Sequence, residues 1–217
     1  MALNKLIEHT LLKPDSTLDD IRRLCDESLQ YQFFGVCVPP YFVKDAARFL
    51  NEQAKVATVV GFPMGYATIP AKVEEIKRAF DEDADEVDAV INISAVKSGN
   101  WSYVKNELDS MMRAVSIKGK IMKLIIETGL LTKAEIKQVL EIAQDKSVQF
   151  IKTSTGFNDG GVTPEVVQFL REHMPPKMKI NAFGGIKTFE RAENLVHAGA
   201  DRIGTSEGVH IALQMAL

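Results

Sequence analysis

The sequence predicts an α/β fold, a (β/α)8 TIM barrel formed as a compact single domain, on three observations. Short apolar, β-branched runs recur eight times, and amphipathic helical patterns separate them. The 217 residues divide into about 27 per repeat, close to the roughly thirty of a strand–helix–strand unit and near the lower end of barrel lengths. Strands joined by helical crossovers pair in parallel, and parallel strands covered on both faces are nearly all apolar. The competing arrangement, an open doubly wound sheet, needs a GxGxxG turn after an early strand, and the sequence has none.

The strand candidates, in order, are LIEHTLL at 6–12, FFGVCV at 33–38, KVATVV at 55–60, EVDAVI at 86–91, IMKLII at 121–126, VQFIK at 148–152, KMKIN at 177–181 and DRIGTS at 201–206. Residues 1–5 read as a short N-terminal extension of a domain spanning 1–217. Helix starts are legible between the strands. Ser16 followed three residues later by Asp19, Thr68 ahead of IPAKVEEIKRAF, and Thr132 followed three later by Glu135 are N-terminal capping patterns. Thr163 precedes Pro164 at a first helical position, with Glu165 next. Met111 and Met112, after Trp101 and Tyr103, belong to a helix-sized stretch whose expected role is packing. The run DEDADE at 81–86 reads as a solvated helix end and turn.

Composition narrows the function classes. Lys and Arg total 26 against 29 Asp and Glu, for a formal charge of −3 with no long block of either sign, which argues against nucleic acid and anionic membrane as partners. No window has the roughly 18 uninterrupted apolar residues of a membrane span, and the opening MALNKLIEHTLLKP lacks a signal-peptide core. A cytoplasmic location is the expectation. Cys25 and Cys37 lie inside apolar segments, and the four histidines are scattered, so neither a disulfide scaffold nor a metal site is expected.

In a barrel of this kind, chemistry collects at the C-terminal ends of the strands. Polar residues inside apolar runs fall there: Asp88, Lys123, Lys152 before TSTG, and Asn181 before AFGG. A lysine that ends a buried strand can sit in a dry pocket, where burial and a nearby cation, here Lys123, favour the neutral amine that attacks a carbonyl. Asp88 is placed to move protons. Glu127 and Thr128 stand at a loop entrance, with Glu127 expected to anchor the loop. Glycine-rich turns follow three consecutive strands: Thr155 and Gly156, then Gly184 and Gly185, then Gly204 with Thr205 and Ser206. Such loops form a phosphate cup, and Lys187 adds a rim charge.

With these residues placed, nearly the whole chain resembles the deoxyribose-phosphate aldolases, class I aldolases on a (β/α)8 barrel. The matching stretches are EHTLLKPDST at 8–17, GVCVPP at 35–40, VVGFPMG at 59–65, ADEVDAVINISAVKSG at 84–99, KLIIETG at 123–129, FIKTSTGF at 150–157, FGGIKT at 183–188 and GADRIGTS at 199–206. The resemblance implies that Lys152 is the Schiff-base nucleophile, with Asp88 as its proton partner and Lys123 in the pocket. It also implies a reversible reaction between acetaldehyde plus D-glyceraldehyde 3-phosphate and 2-deoxy-D-ribose 5-phosphate. The imine is its own electron sink, so no metal or organic cofactor is expected. Glu8 and Cys37 join the substrate-binding set, and a homodimer or homotetramer is implied.

Four positions depart from the family pattern. Asn181 stands where a lysine is usual, which removes an ammonium from beside Lys152; Lys179, two residues earlier, and Lys123 are the candidate substitutes. Glu8 replaces a shorter aspartate. Glu207 follows GTS where a serine is common and would repel a phosphate unless it turns away or pairs with Lys187. Phe183 occupies a position usually held by a small residue. These departures keep two alternatives open: a related class I aldolase with an altered or unphosphorylated acceptor, and a low-activity barrel that binds sugar phosphates.

Overall fold

The computed structural model describes residues 2–158 and 161–215, so Met1 of the expected extension lies outside the described residues. Eight parallel strands close into a barrel in sequence order, each hydrogen-bonded to the next and β8 to β1. They are β1 Ile7–Thr10, β2 Gly35–Val38, β3 Lys55–Val60, β4 Glu86–Val90, β5 Ile121–Ile125, β6 Phe150–Lys152, β7 Lys179–Phe183 and β8 Arg202–Thr205. The helices are α1 Leu18–Gln30, α2 Val43–Leu50, α3 Ile69–Asp81, α4 Ile93–Lys97, α5 Trp101–Ile117, α6 Lys133–Asp145, α7 Pro164–His173, α8 Phe189–His197 and α9 Gly208–Gln214. A 3-10 turn at Leu3–Leu6 leads into β1, and Leu3 packs on the core. None of the described helices is long and apolar enough to cross a membrane.

The caps explain where several helices begin. Thr132 and Glu135 form the expected capping box of α6, and the Thr163 hydroxyl accepts from the Val166 amide at the start of α7. The first box lies one residue later than the sequence suggests. Thr17 and Asp20 form it, because the Ser16 hydroxyl is engaged in the preceding turn, donating to the Lys13 carbonyl at 2.8 Å. At Thr68 the side chain makes no capping hydrogen bond; Pro70 in the first turn of α3 supplies the helix start instead.

Alternation along the strands decides what the barrel holds. Val87 and Ala89 of β4, Met122 and Leu124 of β5, Ile151 of β6, and Ile180 and Ala182 of β7 all belong to the apolar layer between sheet and helices. Met111 and Met112 of α5 are buried in the same layer. Since side chains alternate across a strand, the intervening residues point into the barrel: Glu86 and Asp88, Lys123, Phe150 and Lys152, then Asn181 and Phe183. The apolar cluster on the inner face is small, consisting of Cys37, Ala57 and Val59 with Leu12 and Phe62 packed against it. β7 runs two residues further than the sequence run KMKIN, so Phe183 is a strand residue on the same inward face as Asn181 and not part of the following turn.

Candidate active site

The inward residues of six strands meet in one buried, largely ionic column. Asp88 and Lys123 are paired neighbours on β4 and β5, and Lys152 and Asn181 are paired neighbours on β6 and β7. Lys152 Nζ lies 2.5 Å from Asp88 Oδ2 and 3.8 Å from Glu8 Oε1. Lys123 Nζ reaches Glu8 Oε2 at 2.5 Å, Glu86 Oε2 at 2.6 Å and Asp88 Oδ1 at 3.0 Å. Arg202 closes the column from β8, 2.5 Å from Glu86, with its guanidinium 3.5 Å from the Phe34 ring centroid. Three carboxylates thus face three cations, the arrangement under which charges can be kept out of water. Lys123 and Lys152 are both 0% exposed.

The same geometry reverses one expectation. Burial pulls the Lys152 amine toward its neutral form, but Asp88 beside it, with Cys37 and Glu8, outweighs burial and Lys123 together, and the pKa is raised. Lys123 follows the same pattern more strongly: burial opposes the charge, Asp88, Glu8 and Glu86 favour it, and it stays an ammonium. Lys123 bridges three carboxylates, and its lowering of the Lys152 pKa is smaller than the raising by Asp88, Cys37 and Glu8. Lys152 needs an acceptor for its proton, and Asp88 is in direct hydrogen-bond contact with it.

Glu8 shows how strongly the column is bound to the folded state. Burial raises its pKa, yet Lys123, Lys152 and Arg202 bring it from 4.5 to about 2. A carboxyl depressed on folding adds stability above its unfolded pKa and loses it as pH falls through the folded value. At about 1.4 kcal/mol per pH unit, the gap from 4.5 to about 2 corresponds to about 3 kcal/mol. Urea denaturation between pH 7 and pH 2 is expected to lose that increment between pH 4.5 and 2, and a Glu8→Gln variant to lack it.

Asn181 occupies the column without a charge. Its Nδ2 donates to Glu8 Oε1 at 3.3 Å, while its buried Oδ1 has no hydrogen-bond partner. Lys179 does not replace the missing ammonium: although on the same face, it is exposed at the opposite mouth of the barrel, 5.5 Å from the Phe150 ring centroid. Cys37 is buried with Sγ 3.8 Å from Asp88 Oδ2, and burial, Asp88 and Glu8 push its thiol pKa well up against the pull of the lysines. Glu8, Cys37 and Asp88 could be read as metal ligands by proximity, but both carboxylates are already engaged by lysine ammonium groups.

Above the column, the loops after β1, β6, β7 and β8 enclose a cavity of about 290 Å³. Thr155, Gly156, Gly184, Gly185, Lys187, Gly204, Thr205 and Ser206, all eight of the expected cup residues, line it, together with Lys13 from the β1 loop. Glu207 does not line it. The Glu207 carboxylate accepts from the Ser206 hydroxyl at 3.3 Å and makes no ion pair with Lys187 among the described residues. Glu127 anchors the β6 loop, as expected, accepting from the Thr155 amide and hydroxyl and from Asn158.

Glu86 and Arg202 escaped the sequence reading. Glu86 closes DEDADE, a run expected to be solvated, yet it is 2% exposed. Its signal was the spacing of two from Asp88, which puts both on one strand face, and a lone arginine in the apolar run DRIGTS was the matching cation.

A family model described as DeoC/LacD family aldolase matches residues 4–213. The chain is 46% identical over 214 residues to a deoxyribose-phosphate aldolase of Thermococcus gammatolerans, covering 97% of this chain and 95% of that one. Among solved structures, an aldolase called QR15 superposes with a TM-score of 0.94 at 37% identity, covering 99% of this chain and 96% of the other. A tetrameric deoxyribose phosphate aldolase from Aeropyrum pernix superposes at 0.91 with 29% identity, covering 99% and 91%.

Proposed function

The chain belongs to the DeoC/LacD aldolase family, and from that premise we propose that it cleaves 2-deoxy-D-ribose 5-phosphate reversibly to acetaldehyde and D-glyceraldehyde 3-phosphate through a Schiff base on Lys152. The observation that carries this reading is the 2.5 Å contact between the buried Lys152 amine and Asp88, directly below a four-loop cavity suited to a phosphate. Asp88 takes the ammonium proton, the freed lone pair bonds to C1 of the open-chain sugar while the carbonyl π pair moves to oxygen, and Asp88 returns the proton to that oxygen. A nitrogen proton, relayed by Asp88, lets the hydroxyl leave as water, giving a protonated imine with Asp88 again ionised. The C3 hydroxyl then gives up its proton, to Asp88 directly or through water. The C2–C3 bond breaks with its electron pair flowing through C2 toward the imine nitrogen, and C3 becomes the aldehyde of glyceraldehyde 3-phosphate. Protonation of the enamine at C2 and addition of water return acetaldehyde and the amine.

The other residues divide between holding charges and holding substrate. Lys123 and Glu8 keep Asp88 and Lys152 in register, and Asn181 offers its unpaired Oδ1 to a hydroxyl or water at the reacting end. Cys37 fills the wall beside Asp88. Gly184, Gly185, Gly204 and Gly156 bring backbone amides near an anion, with Thr155, Thr205, Ser206 and Lys187 as side-chain contacts. The reading includes a cytoplasmic enzyme assembled as a homodimer or homotetramer, supported by the tetrameric relative and checked by light scattering.

Comparison of 2-deoxyribose 5-phosphate with 2-deoxyribose tests both the reaction and the cup. Enzyme-coupled detection of the released three-carbon aldehyde is expected to give a kcat/KM at least about 100-fold higher for the phosphorylated sugar, since several charge-assisted hydrogen bonds are lost without it. Equal or reversed preference would favour the altered acceptor, and binding without release of either aldehyde would favour a sugar-phosphate-binding barrel.

A further inference from the structure

Lys72 of α3 and Glu107 of α5 form a second buried ion pair that the proposed chemistry does not use; both are 0% exposed. The Lys72 ammonium donates to Glu107 Oε1 at 2.7 Å and to the carbonyls of Gly65 and Val90, each at 2.6 Å. Those bonds use all three of its donors. Glu107 Oε2 accepts from the Asn92 amide at 3.0 Å. Burial pushes the Lys72 pKa down and the Glu107 pKa up, and a pair with that desolvation cost adds little stability over well-packed apolar groups of similar size. Its connectivity is more specific than its stability: one ammonium joins α3, α5, the end of β4 and the loop after β3.

Of these, the loop depends most on the lysine. Val90 is already fixed by pairing with Ile125 of β5. The loop Gly61–Gly65 turns on two left-handed glycines, at φ 60° and 74°, and its ends are held from α3, the Gly61 amide by Glu75 at 2.7 Å and the Gly65 carbonyl by Lys72. It is folded closely round the lysine stem. A methyl on Gly61 would lie 2.6 Å from Lys72 Cε, and one on Gly65 would overlap the Ile91 carbonyl. The loop carries Phe62, which packs on the inner apolar cluster and meets Phe157 edge-on with ring centroids 5.3 Å apart. Phe157 follows Thr155 and Gly156 in the β6 loop and lines the cavity with them. We propose that Lys72, held by Glu107, is a positioning residue that fixes the loop after β3 so that Phe62 braces the β6 loop of the phosphate cup. The proposal rests on the reading of that cavity as a phosphate cup, and its test separates the two.

The test compares kcat/KM for 2-deoxyribose 5-phosphate with kcat/KM for 2-deoxyribose in the unaltered protein, in Lys72→Met with Glu107→Gln, and in Phe62→Ala. The double variant removes both charges together and keeps an acceptor for the Asn92 amide, so no buried charge is left uncompensated. Loss of folded protein lowers both kcat/KM values alike and leaves their ratio unmoved. The ratio is expected to fall at least about threefold in both variants, the scale of one lost aromatic contact, through a raised KM for the phosphorylated sugar. Borohydride trapping of acetaldehyde on Lys152, which does not involve the cup, is expected to stay within about twofold of the unaltered protein. A ratio that falls in Phe62→Ala but not in the double variant would overturn the role of Lys72, and an unmoved ratio in Phe62→Ala would overturn the route through Phe62; both leave the cup standing. Trapping lost together with the ratio would place the damage in the ionic column and contradict the proposal. No preference for the phosphorylated sugar in the unaltered protein would overturn the cup and the proposal with it. If the double variant lacks a cooperative thermal melt, Lys72→Gln, which keeps two donors without the charge, takes its place with the same expected fall, and an unmoved ratio again overturns the proposal.

Discussion

Replacement of Lys152 by methionine is expected to lower cleavage of 2-deoxyribose 5-phosphate by at least about 10³-fold, because no other amine in the column can form the imine. Lys123 is the nearest candidate, and it is surrounded by Glu8, Glu86 and Asp88 and held as an ammonium. Loss of the cation also leaves Asp88 buried without its 2.5 Å partner, so the single variant is expected to be less stable by roughly 3–5 kcal/mol. Stability and chemistry separate in the double variant. Lys152→Met with Asp88→Asn removes both charges; it should recover most of the lost stability in urea denaturation and none of the activity. Activity recovering along with stability would mean that Lys152 has a structural role only.

Asn181→Lys is expected to act in the opposite direction. The column holds three carboxylates and three cations, and a fourth cation on β7, the paired neighbour of Lys152, would compete for Glu8 and repel the Lys152 ammonium. At an effective dielectric near 20, a like charge about 6 Å away lowers a lysine pKa by about one to two pH units. At pH 7 that yields about 10–100-fold more neutral amine. The pH–rate profile of cleavage should move to lower pH, with kcat at neutral pH rising by about tenfold or more; Asn181→Met, similar in length and uncharged, should give no gain. An unmoved profile in a folded Asn181→Lys protein would mean that proton removal from Lys152 is already sufficient with Asp88 alone.

The barrel was legible because eight apolar runs and the helices between them obey two periodicities that a sequence displays directly. The grouping of the loop residues was legible for a related reason: turns that follow consecutive strands meet at one mouth of a barrel, and all eight named residues line the cavity. What could not be read was which charges meet. Lys123 was expected to depress Lys152, yet Asp88 foremost, with Cys37 and Glu8, outweighs that repulsion, and Asp88, Glu8 and Glu86 hold Lys123 charged. Glu86 was hidden in an acidic run whose other members sit at a helix end. Lys179 has the correct strand face for the site, but two residues along a strand is about 6–7 Å, enough to place it at the far mouth. Phe183 was visible as an unusual residue; only the extension of β7 by two residues shows that it lies over the amine.

Whether the Lys152 amine forms a covalent imine with a substrate carbonyl is decided by borohydride reduction of the unaltered protein during turnover of 2-deoxyribose 5-phosphate. Irreversible loss of activity is expected, together with an added ethyl group, from reduced acetaldehyde imine, confined to the peptide containing Lys152. Full turnover with no adduct on Lys152, or an adduct on Lys123 instead, would contradict imine formation there.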